Sequence, residues 1–68
     1  MKERQTYLSA RDVRQRYGVS DMSLWRWLRN EALGFPRPMR INGRRFWSRA
    51  ELETWEASRS EREAARHA

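Results

Sequence analysis

Cysteine is absent from this 68-residue chain, which removes disulfides and thiolate-held zinc as ways of bracing a small fold. A domain of this size buries only about 60% of the surface its unfolded chain exposes, so little room is left for an enclosed catalytic cleft. No apolar run approaches the roughly 20 residues of a membrane span, and the opening MKERQTYLS lacks the apolar stretch of a secretory signal. A soluble, cytoplasmic chain with no membrane partner is therefore expected. Histidine occurs once, as His67 in a polar tail, and is read as a solvated residue, not as a base or ligand. Glu51, Glu53 and Glu56 fall on an exposed helix face and are read as solvated charges, not as an acid–base pair. Neither a glycine-rich phosphate loop nor a metal-spaced cluster occurs. The expectation is a non-enzyme that needs no cofactor or metal.

What is present is aromatic and basic. Four Trp, two Tyr and two Phe supply large apolar areas to a core with few members. The formal net charge is +6, and it is unevenly spread. Residues 1–47 hold 11 Lys and Arg against 4 Asp and Glu, whereas residues 48–68 hold 4 against 5. A basic surface attracts phosphates and releases counterions on binding. Arginine-favouring codon usage explains Arg over Lys but not this asymmetry.

Three helix starts share one pattern. Ser9, Ser20 and Ser48 each stand where an N-cap can accept a hydrogen bond from an orphan backbone N–H. Each is flanked by a staple pair at the fitting spacing: Leu8 with Val13, Val19 with Leu24, and Trp47 with Leu52. Ser48 with Glu51 has the spacing of a capping box, and Ser9 with Asp12 is a shorter version. The pattern predicts helices near 10–17, 21–31 and 49–58. The first places Ala10, Val13 and Tyr17 on one side and ends at Gly18. Only Gly18 and Val19 then precede the next cap, which forces a helix–turn–helix. The second helix turns Leu24, Trp27 and Leu28 inward and leaves Met22, Trp25, Arg26 and Arg29 nearly opposite. Gly34 is read as its stop, Pro36 and Pro38 stiffen a connector, and Phe35 is read as a plug at the core's edge. The third helix turns Leu52 and Trp55 inward. The boundaries expected are an N-terminal arm over 1–6, a domain over 7–59, and a polar, frayed tail over 60–68.

Asn42-Gly43 is a strong hairpin signal, since both central positions of a type I′ turn need positive φ. That turn pairs Ile41 with Arg44, Arg40 with Arg45, and Met39 with Phe46. Met39, Ile41 and Phe46 are expected inward. Arg40 and Arg45 are expected outward and side by side, with Arg44 near the tip. Like charges across a hairpin repel, and an external anion would resolve the conflict.

The expected fold is mainly α with a small two-stranded β-hairpin, in the order of a winged helix–turn–helix. In such folds the second helix enters the major groove mainly through its N-terminal residues, here Ser20, Asp21, Met22, Ser23, Trp25 and Arg26. Ser20 and Ser23 are candidates for phosphate or base. Asp21 either caps the helix or accepts from a cytosine amino group. Arg26 has the fork that matches guanine O6 and N7, and Arg29, a turn further on, suits phosphate. Arg40, Asn42, Gly43, Arg44 and Arg45 form the basic wing, directed along the backbone or into a minor groove. Arg11, Arg14 and Arg37 are further candidates for the DNA backbone.

LSARDVRQRYGVSDMSLWRWLRN followed by GFPRPMRINGRRFWSRAELETWEASR resembles the AlpA-type phage regulators and small excisionases of the MerR-like winged-helix group. The resemblance covers about residues 7–59. It rests on the combination of the serine helix entry, the basic second helix, the Phe-Pro-x-Pro connector, the basic hairpin and the closing helix. It implies sequence-specific binding of double-stranded DNA by a nucleoid-associated transcription regulator or excision factor of a mobile element. It also implies an integrase or RNA polymerase as partner, or cooperative self-association on DNA. Arg14 departs from the pattern, because helix–turn–helix proteins usually carry a small residue there. The alternative expectation is a protein-interaction adaptor anchored by exposed Trp25 and Met22. RNA fits less well, since a short helix suits the B-form major groove better than the deep A-form one.

Overall fold

The computed structural model describes residues 6–67, with side chains described as far as Arg62. Residues 1–5 of the expected arm and the His67 side chain lie outside the described residues. Six elements follow in order: β1 (Tyr7–Ser9), α1 (Ala10–Tyr17), α2 (Asp21–Arg29), β2 (Met39–Ile41), β3 (Arg44–Ser48) and α3 (Arg49–His67).

All three serines cap. Ser9 Oγ accepts from Asp12 N–H at 3.2 Å, and the Asp12 carboxylate accepts from Ser9 N–H at 3.2 Å, so the reciprocal box forms in its shorter version. Ser20 Oγ accepts from Ser23 N–H at 3.1 Å, and Ser48 Oγ accepts from Glu51 N–H at 3.3 Å. Of the staple residues, Leu8, Val13, Leu24, Trp47 and Leu52 are buried, and Val19 is half-buried. Between α1 and α2, Gly18 adopts φ +65°. The Gly18 and Val19 N–H groups both donate to the Arg14 carbonyl, which closes the joint in two residues.

Two helix ends differ from expectation. α2 stops at Arg29, not at 31, because Asn30 is extended and its Oδ1 accepts from Ala32 N–H at 3.1 Å. Gly34, at φ +67°, closes the turn that follows instead of the helix itself. α3 runs past residue 58 to His67, through the segment whose polarity pointed to a frayed tail. Polarity there does not exclude helix, since Glu, Arg and Ala are good helix formers.

The sheet has three strands, not two. Its order is β1-β3-β2, antiparallel throughout. The hairpin register is the expected one: Met39 faces Phe46, Arg40 faces Arg45 and Ile41 faces Arg44. Asn42 and Gly43 turn at φ +53° and +80°. β1 joins the other side of β3, pairing Leu8 with Trp47 and Ser9 with Phe46. Three residues are too few for alternation to announce a strand.

The hairpin faces are the reverse of the expected ones. Trp47 is fully buried, whereas Met39 and Ile41 are 40% and 50% exposed. Side chains alternate along a strand, so Arg45 shares the core-side face with Trp47. Phe46, with Met39 opposite, lies on the outer face. Burial of the larger indole overrides burial of Phe46, because adjacent strand residues cannot both point inward.

The core consists of Leu8, Val13, Leu24, Phe35, Trp47 and Leu52, with Tyr17, Trp27, Leu28 and Trp55 packed against it. The Phe35 ring centroid lies 4.9 Å from that of Trp55 and 5.3 Å from that of Trp27, both edge-on. Two of the three indoles in or against the core anchor the segment after α2: Trp47 Nε1–H donates to the Pro36 carbonyl at 2.9 Å and Trp55 Nε1–H to the Leu33 carbonyl at 3.1 Å. Among the described residues, no helix is long and apolar enough to cross a membrane.

Glu56, expected to be a solvated charge, ties α3 to α1. It accepts from Arg16 Nε at 2.7 Å, from Arg16 Nη2 at 2.9 Å and from the Tyr17 hydroxyl at 2.6 Å. The Arg16 bonds hold the Glu56 carboxyl below its ordinary value of 4.5, against the opposing effect of burial. Burial first, and then the Glu56 bond, pushes the Tyr17 phenol up. A depressed carboxyl contributes stability above pH 4.5 that is lost as pH falls through its folded value. Glu56→Gln should therefore destabilise the protein by about 1 kcal/mol at neutral pH, a figure discounted for solvent screening. Urea denaturation should show that gap shrinking below pH 4.5. A gap that does not change with pH would mean the carboxylate form is not what matters.

Candidate nucleic-acid interface

On α2, Leu24 is buried and Trp27 and Leu28 are half-buried, which leaves Met22, Trp25, Arg26 and Arg29 exposed on the opposite side. The Arg29 guanidinium stands 4.8 Å from the Trp25 ring centroid. That is the i, i+4 spacing at which helix side chains meet, and the charge lies within range of the ring's negative face. Arg29 and Trp25 are therefore one assembly, a cation seated on an aromatic plate.

Asp21, the first residue of α2, is the junction of the site. Its Oδ1 accepts from Arg45 Nη2 at 2.9 Å and stands 3.5 Å from Arg14 Nη1. A carboxylate also suits the positive end of a helix. The contact exists because of strand parity. Trp47 turns inward, Arg45 lies two residues earlier on the same face, and its guanidinium stands 5.6 Å from the Trp47 ring centroid. Arg40 and Arg45, as direct cross-strand partners, therefore share the helix-side face instead of the outer one, and the anion that relieves their repulsion is internal: the Asp21 carboxylate. Arg14 is likewise explained: it leans across the joint to Asp21, so the first two helices tolerate an arginine there.

The remaining expected residues divide by surroundings. The Ser20 hydroxyl is used in the cap and also donates to Ser23 Oγ at 3.3 Å, so both serines serve helix geometry. Arg40, Asn42, Gly43 and Arg44 are exposed on the hairpin, Arg11 on α1 and Arg37 on the connector. The structure brings Asp21, Arg14 and Arg45 into contact and groups Met22, Trp25, Arg26 and Arg29 on one helix face. Sequence reasoning missed the hub role of Asp21, although the Trp47–Leu52 staple already fixed the parity that produces it.

Met22 and Trp25 join Asp21 around a depression of about 280 Å³ at the start of α2. A larger open groove of about 600 Å³ lies between α3 and the connector. Glu31 and Glu51 line it together with Arg59 and Arg62, so it has no single sign of charge and does not extend the cationic face. Among the described residues, no group of His, Cys, Asp and Glu is placed to hold a metal ion.

The junction makes a measurable statement. In a double-mutant cycle of Asp21→Asn and Arg45→Gln, urea denaturation should give a coupling below about 1 kcal/mol, because the Asp21 side chain is 66% exposed. The coupling should vanish in 1 M salt, where the Debye length is about 3 Å. Zero coupling at low salt would mean the hairpin is not held to α2 by this pair.

Comparison of the chain with family models, with curated proteins and with solved structures gave no match.

Proposed function

We propose that this protein is a winged helix–turn–helix that binds double-stranded DNA sequence-specifically, with α2 in the major groove and the β2–β3 hairpin as its wing. The observation that carries the reading is the 2.9 Å bond between Arg45 and Asp21. It holds a basic hairpin against the start of a helix whose outer face carries Arg26 and Arg29. A helix alone or a basic strand alone would be an ordinary solvated surface. Joined through Asp21, they present cations from a helix and from a strand on adjoining elements.

Within this reading, Arg26 is the base reader, since its fork can engage guanine O6 and N7. Arg29, braced on Trp25, contacts phosphate, as do Arg40 and Arg44 of the wing, with Arg11 and Arg37 at the margins. Arg14 and Arg45 are shared between Asp21 and the duplex, because Asp21 competes with phosphate for both. Asn42 and Gly43 provide the narrow turn that lets the wing approach a backbone. The resemblance to AlpA-type regulators and small excisionases supports a role in transcription or excision for a mobile element in the nucleoid. In that role an integrase, RNA polymerase or further copies of the chain on DNA are the protein partners. The adaptor reading rests on the same exposed Trp25 and Met22, and the cations flanking them favour a polyanion instead.

Duplex affinity measured against salt should fall steeply, with a log–log slope of about −0.9 for each phosphate neutralised. A flat slope removes the reading. Arg26→Ala should relax preference at one base pair by about 1–3 kcal/mol, whereas Arg44→Ala should weaken all sequences alike. Asp21→Asn should strengthen binding to every duplex, because it releases two guanidinium groups. If Asp21→Asn weakens all duplexes equally, the carboxylate is itself a contact or a needed brace.

A further inference from the structure

Met22 and Trp25 are large apolar residues that folding does not use. They are 58% and 50% exposed on a helix that already supplies Leu24, Trp27 and Leu28 to the core. They are also not loose surface residues. The Trp25 indole is held by the Arg29 guanidinium at 4.8 Å. With Asp21 the pair lines a depression of about 280 Å³. The one carboxylate at its rim is already engaged by Arg45 and Arg14. Arg26 follows Trp25 directly and Arg29 covers one side of it. The feature is therefore an apolar notch set in a cationic face.

A cationic face with an apolar notch suits a polyanion that presents an apolar group. On the base edges of B-form DNA the major groove offers one such group, the C5-methyl of thymine, which 5-methylcytosine shares. The minor groove offers none. Resting on the duplex-binding reading above, we infer that Met22 and Trp25 form a methyl-reading site for the thymine C5 position. The flexible, polarizable Met22 thioether closes over the methyl and the braced indole forms the wall. Arg29 on the indole face disfavours stacking of an unpaired base there, which sets this site apart from a single-strand platform. Met22 and Arg26 are one helical turn apart, about 6 Å along the axis. The methyl read by the notch and the guanine read by Arg26 then lie within about two base steps of each other, at 3.4 Å per step.

The experiment removes the methyl and nothing else. A tight-binding duplex is selected from a random pool with the full chain, and each thymine is then replaced singly by deoxyuridine. Affinities are measured by fluorescence anisotropy at one salt concentration. The expected result is a 3- to 5-fold loss at one or two positions, about the worth of one buried methyl-sized group, with the remaining positions unchanged. Met22→Ala and Trp25→Ala, both at exposed positions where folding is spared, should bring the thymine-to-uracil ratio at those positions close to one. Duplex binding that keeps its salt slope but ignores every thymine-to-uracil exchange overturns the inference and leaves the duplex reading standing. So does a ratio unchanged in both variants. A chain that binds no duplex, or binds single strands more tightly, overturns both.

Discussion

Trp47 is the side chain on which the arrangement of this molecule turns. It sits fully buried in the middle strand, with its indole N–H donating to the Pro36 carbonyl at 2.9 Å. A buried Trp removes a large apolar area from water, provided its N–H finds an acceptor, and both conditions are met. Because strands alternate, that one burial sets the face of every residue in β3. It sends Arg45 to the helix side and Phe46 to the other. It also seats Leu8 on the opposing strand, since Leu8 and Trp47 are direct partners, so the third strand follows from the same side chain. A pairing that buried Phe46 instead would have exposed the indole and removed Arg45 from Asp21.

The electrostatic consequence follows from geometry. Asp21 faces two guanidinium groups, one from α1 and one from the hairpin, so the cluster keeps a net positive charge. Its side chain is 66% exposed, and in that setting the pair contributes little to stability. What the cluster does instead is orient. It restrains two long cationic side chains that would otherwise sample many rotamers, and it does so at the start of a helix whose dipole suits a carboxylate. The repulsion foreseen between Arg40 and Arg45 is relieved from within the protein. An arginine held by an exposed carboxylate remains available to a stronger anion, because both partners are still wetted.

Local chemistry was legible in the sequence, and the arrangement of faces was only partly so. The serine caps, the joint at Gly18, the inward row on α2 and the hairpin register all depend on neighbours within a few residues, and each stands as the residues indicated. β1 was not legible, because three residues carry no period and its partner lies some forty residues away. The hairpin faces were legible in principle. Placing Trp47 inward through its staple with Leu52 and Phe46 inward through alternation are incompatible statements about adjacent residues. The staple argument was the stronger, since it joined strand to helix. Glu56 could not be recognised as a tie from its own helix, because Arg16 and Tyr17 reach it from forty residues earlier in the chain.

The connector between α2 and β2 shows how a chain without cysteine fixes a segment that has no regular structure. Residues 35–38 form neither helix nor strand, and an unpaired buried backbone carbonyl is costly. Here the indole N–H groups of Trp47 and Trp55 reach out of the core to the carbonyls of Pro36 and Leu33. Phe35 is buried among the rings of Tyr17, Trp27, Trp47 and Trp55. The aromatic residues thus supply both the apolar area of the core and the polar anchors of the loop. That double use accounts for Trp47 and Trp55; Trp27 supplies apolar area alone. The double use also explains why the hairpin springs from a braced base: the strand that leads to Arg40 leaves directly from the segment those two indoles hold.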